Sequence, residues 1–176
     1  MAFVPDLTTR VTVEIDESGI DEAIDIINSG LLAGTGIVEE LESKRKQLQS
    51  RKQPLTKAVA EALQSNQENI IASKHYITGM MAGSVDIESD GEDLLVFNSA
   101  ESVDGFPYPL AIEKGSRSHW VAPVTFSALH WTDNGGEYWS KGHMVSGITP
   151  DPFVEPSIDD TLYQIESVLD EFTEGL

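Results

Sequence analysis

The sequence contains no cysteine. Disulfides, thiolate catalysis and cysteine-based zinc sites are therefore excluded together. Basic residues are scarce too: eleven Lys and Arg face thirty Asp and Glu, a net charge of −19. Duplex nucleic acid needs a basic face for its phosphates, so free duplex binding by the whole chain is not expected. No apolar run approaches the roughly 20 residues that span a bilayer, and the opening MAFVPDLTTR lacks the basic start of an export signal. Neither a membrane nor secretion is expected.

What is present fits one domain. The chain has 176 residues, 40% of them hydrophobic, enough for a core and not for two ordinary ones. The carboxylates are spread along most of the chain. Such spreading resembles the acidic proteins of salt-in halophiles, which keep a hydrated carboxylate surface. In about 1 M salt the Debye length is roughly 3 Å, so self-repulsion is screened. A high-salt host is the expectation, with an acidic mesophilic protein as the alternative.

Residues 7–15 alternate, with Leu7, Thr9, Val11, Val13 and Ile15 on one face, and predict a half-buried strand. Ser18 and Asp21 have capping-box spacing before Ile20, Ile24, Ile27 and Leu31, and Gly30 marks a stop. LLAGTG then reads as a joint. Residues 37–53 predict a charged helix with Glu40–Lys44 and Glu42–Lys46 at i,i+4. Pro54 is expected to break or restart the helix, as a first-turn residue of a second half over 54–73. That half carries a narrow stripe of Leu55, Val59, Ala62, Leu63 and Ile70. Asp90-Gly91 between apolar pairs predicts a type I′ hairpin, and Asn134-Gly135-Gly136 a second. Ile158, Leu162, Ile165, Leu169 and Phe172 predict a C-terminal amphipathic helix. The fold class is α+β, an antiparallel sheet of hairpins packed against a long helix and a C-terminal helix. Residues 1–36 form an N-terminal extension to a core over 37–176.

The chemistry-bearing residues are weak as catalysts. His75, His119, His130 and His143 show no ligand-pair spacing, so no metal is expected. No G-x-S-x-G elbow accompanies Ser116. Thirty carboxylates make chance pairs inevitable, so they carry no signal for glycoside cleavage. Lys44, Arg45, Lys46, Arg51, Lys52 and Lys57 hold six of the eleven basic residues, as a solvated helix face or as a contact for an acidic neighbour or passing DNA. Trp120, Trp131 and Trp139 are expected to pack across a hairpin rather than to stack on a substrate. No catalytic residue and no cofactor follow from this reading.

Three motifs occur in order: TGMMAGSV at 78–85, YPLAIEKGS at 108–116 and DPFVEPSI at 151–158. Together they resemble the tail-completion (type 1 neck, minor head–tail connector) proteins of long-tailed phages. That family typically shows T-G-x-L-x-x-S, Y-x-x-x-x-E-x-G-T and P-F-x-x-P-A. Thr78, Gly79 and Ser84 match the first, with Met81 for Leu. Tyr108, Glu113 and Gly115 match the second, with Ser116 for Thr. Pro152, Phe153 and Pro156 match the third, with Ser157 for Ala. The resemblance covers roughly residues 38–176. Without the family, Gly115 allows a sharp turn across which Glu113 can accept backbone N–H groups, and Phe153 can anchor the chain before the last helix.

The resemblance implies a non-enzymatic virion protein at the head–tail neck, assembled in the host cytoplasm. It implies a homo-oligomeric ring of six or twelve copies between head-closure and tail-tube or terminator proteins, with genomic DNA passing through the lumen. A tailed virus of a halophilic archaeon would reconcile family and charge. An acidic lumen would let DNA slide without sticking. The alternatives are a tail terminator that caps the tail tube, or a small metal-dependent hydrolase.

Overall fold

The computed structural model describes residues 7–29, 36–74, 79–102 and 105–173. Thr78 and His75 lie outside the described residues, as do Gly30 and most of the LLAGTG joint. The fold is α+β with antiparallel sheets, a long helix and a C-terminal helix. The chain divides into two compact units. The first comprises residues 1–100 and 154–176, the second residues 101–153.

In the first unit, β1 (Thr9–Val11), β2 (Val85–Asp90) and β3 (Asp93–Asn98) form an antiparallel sheet in the order β1-β3-β2. Residues 9–11, in the segment read as an extension, are thus a strand of this sheet, paired Thr9 with Val96 and Val11 with Leu94. Arg10 fixes the pairing by reaching Asp90 at 2.7 Å and Asp93 at 2.8 Å. The β2–β3 turn has a positive φ at Gly91 alone and none at Glu92. That is the glycine-first pattern of a type II′ turn and corrects the expected I′.

Helix α1 (Ser18–Ser29) is capped differently from the sequence reading. The Asp16 Oδ1 accepts the Ser18 N–H at 2.9 Å, and the Glu17 carbonyl takes the first helical bonds. Hydrogen bonding from the Ser18 side chain, and then from its backbone N–H, holds the Asp16 carboxyl below the usual carboxylate range.

Helix α2 (Ile37–Lys74) runs unbroken through Pro54. The expected break is corrected: one missing N–H and one crowded carbonyl are offset by side chains that tie this stretch to its neighbours. Lys52 Nζ meets Glu92 at 2.6 Å, and Gln53 Nε2 donates to the Glu92 carbonyl at 3.1 Å. The basic cluster is therefore largely spent inside the first unit. Arg45 joins Glu17, Asp21 and Glu42, Arg51 donates to the Phe172 carbonyl, and Lys57 pairs with Glu61 at 3.5 Å. Glu42 meets Arg45, where the sequence suggests Lys46.

The buried face of α2 is Thr56, Ala60, Leu63, Gln67 and Ile71, so only Leu63 survives from the expected stripe. Three of these five, Thr56, Ala60 and Gln67, are small or polar, and α4 (Val154–Thr173) packs along α2. Ser157 and Thr161 of α4 are buried as well, and Asn66 Nδ2 donates to Thr161 Oγ1 at 3.0 Å. Leu162 and Leu169, expected to face inward, remain 57% and 39% exposed.

Candidate functional site: a closed loop carrying exposed aromatics

The second unit starts from α3 (Tyr108–Lys114), a two-turn helix whose Pro109 sits in the first turn, where a missing N–H costs nothing. It ends at Gly115, whose φ of 74° and ψ of 173° lie in a region essentially reserved for glycine. A Cβ there would stand 2.7 Å from the Ile148 carbonyl oxygen and 2.8 Å from the Pro150 ring. Glycine is required by the close approach of two chain segments.

Those segments are clamped. Ser116 and Ile148 exchange both backbone bonds, at 2.9 and 3.1 Å, and Ser116 Oγ accepts a further bond from the Ile148 N–H. Asp151 N–H donates to the Ile112 carbonyl at 2.9 Å. The Glu113 Oε2 accepts the Phe153 N–H at 2.8 Å, forty residues away in sequence. This charge-assisted bond replaces the short-range turn expected for Glu113. Phe153 is fully buried.

Beyond the clamp the same register continues. Strands β4 (His119–Val121) and β7 (His143–Val145) pair His119 with Val145 and Val121 with His143. The two make a narrow stem. At its far end β5 (Leu129–Asp133) and β6 (Gly136–Ser140) form a hairpin. Asn134 and Gly135 both have positive φ there, as a type I′ turn requires.

Facing residues on the hairpin are aromatic on both sides of the ribbon. His130 stacks on Trp139 with centroids 4.1 Å apart, and Trp131 stacks on Tyr138 at 5.7 Å. His143 leans on Trp131 at 4.9 Å. The expected cross-strand packing is present, yet these residues are not a core. Trp120, Phe126, Tyr138 and Trp139 are 61%, 81%, 48% and 67% exposed. Pro123, Val124, Phe126, Leu129, His130 and Trp139 line an apolar hollow of about 610 Å³. A two-stranded ribbon with apolar side chains on both faces is marginal in water without a covering surface.

The proposed motif residues fall into two places. Tyr108, Glu113, Gly115, Ser116, Pro152 and Phe153 belong to the clamped unit. In the first unit, Gly79 has a φ of 72° and its carbonyl accepts the Gly83 N–H at 3.0 Å. Ser84 Oγ donates to the Met80 carbonyl at 2.7 Å, and the Ser84 carbonyl accepts the Ser99 N–H at 2.8 Å. Pro156 lies in the first turn of α4, where no intrahelical donor is lost. The exposed hairpin aromatics complete the site. Their types were visible in the sequence, but their exposure was not.

Among the described residues, no three His, Asp or Glu side chains are grouped to hold a metal ion. Among the described residues, no helix is long and apolar enough to cross a membrane. Comparison with protein-family models, curated proteins and solved structures gives no match.

Proposed function

We propose that the chain is a structural, non-enzymatic subunit of a virion neck, joining a filled head to its tail as a homo-oligomeric ring around the DNA path. The observation that carries this reading is the clamped loop. Its closing residues are the sequence motifs themselves, and what it presents is uncovered aromatic surface rather than a polar pocket. Loops with fixed ends and apolar tips are built to be covered by a neighbour.

Charge distribution favours the same reading. Residues 101–153 hold six Asp and Glu against three Lys and Arg, leaving twenty-four against eight elsewhere. Subunits that repel one another across most of their surface can meet most cheaply through this unit. A closed ring needs a heterologous contact, one patch of each copy on a different patch of the next. The remaining acidic surface suits a channel wall along which phosphates slide.

A virus lacking this chain tests the proposal. DNA-filled heads and finished tails should accumulate unjoined, and joining should return when the chain is supplied. Fully joined particles without it would refute the assignment. Metal analysis of the purified protein separates the hydrolase alternative: one tightly held zinc or manganese per chain would count against a structural role.

A further inference from the structure

We infer that the first unit carries a docking groove for a basic amphipathic segment of a partner protein. This inference does not depend on the particle in which the chain works. The groove, about 230 Å³, lies between β1, α2 and α4, lined by Val11, Val59, Leu63, Ile158, Leu162 and Ile165. Its existence follows from how α4 packs. Ser157 and Thr161 turn toward α2, which leaves the Ile158–Leu162–Ile165 face rotated away from the core. Leu162 is 57% exposed, and β1 is an edge strand of its sheet among the described residues.

Charge selects the occupant. Helix α4 carries six Asp and Glu and no Lys or Arg. At 100° per residue, Glu155, Asp159 and Glu166 form a stripe directly beside the apolar face, and all three are exposed. Arg10, the one basic residue lining the groove, is already engaged by Asp90 and Asp93. A second copy of this chain would bring more acid to an acidic rim, and nucleic acid would be repelled. A segment with leucines on one face and lysines along its flank would bury its apolar side in the groove and pair its flank with the stripe.

The test uses the full chain and a fluorescently labelled synthetic helix with Leu at i, i+3, i+4 and i+7 and Lys along one flank. Two comparison peptides replace the lysines with Glu, or the leucines with Ser. In 0.1 M salt only the Leu–Lys peptide should bind measurably. Leu162→Ser should weaken it about tenfold, since the side chain is exposed and its removal spares the fold. D159K/E166K should weaken it several-fold in 0.1 M salt and much less in 1 M salt, where surface charge is screened. Val124→Ser, in the second unit, should change nothing. Equal binding of the Ser peptide, or indifference to Leu162→Ser, would overturn the groove. Self-association abolished by Leu162→Ser would overturn the basic partner in favour of a second copy.

Discussion

At Gly115 two demands coincide, a backbone conformation closed to other residues and a carbonyl 2.7 Å from where a Cβ would sit. Gly115→Ala should therefore destabilise the protein by about 1–3 kcal/mol, read by chemical denaturation. Glu113 supplies the complementary test. Glu113→Ala removes a charged acceptor from the Phe153 N–H and should cost about 1.5–3 kcal/mol. Glu113→Gln keeps an acceptor oxygen and should cost less, an ordering that a merely space-filling role would not give. Gln67 behaves in the opposite sense. It is fully buried on α2 with both amide atoms unpartnered. Gln67→Met should raise stability by about 1–3 kcal/mol, because it removes unsatisfied polar atoms from the core without changing volume much. Little of this was legible beforehand. The motif 108–116 and the motif 151–158 marked the right ends, but nothing local in a sequence says that Glu113 serves Phe153, since the pairing exists only after the loop closes.

Among the elements, the sheet of the first unit has an acid-sensitive tie. Asp93 sits below the usual carboxylate range, chiefly through its hydrogen bond with Arg10 and then Thr12. A depressed carboxylate stabilises the fold at pH above its unfolded value, and that contribution disappears as pH falls through the lower folded value. The β1 amides should accordingly exchange faster as pH drops below the ordinary aspartate range, after correction for intrinsic rates. Asp93→Asn should abolish that pH dependence. Hairpins were readable because their turns announce themselves in Asp-Gly and Asn-Gly. Helix faces were not. The regular spacing of Ile158, Leu162, Ile165 and Leu169 predicts an inward stripe, but Ser157 and Thr161 allow a closer approach to α2 and take that side. Pro54 misled for a related reason. Its local penalty is real, yet a 38-residue helix held on several sides absorbs it.

Across the whole molecule the net charge of −19 sets the conditions of stability. Screening the self-repulsion should raise the melting temperature between 0.1 M and 2 M potassium chloride. A flat or falling curve would remove the halophilic explanation of the composition. The two units divide the labour that composition alone could not assign. One is acidic, with most of its basic cluster spent on internal ties, and the other is closer to neutral and carries most of the uncovered aromatics. The most direct measurement is a cryo-electron map of the joined particle at the head–tail junction. The account predicts this chain as a closed ring there, with Trp120, Phe126 and Trp139 covered by neighbouring subunits. A map in which the chain is absent from the junction, or present with those aromatics facing solvent, would contradict it.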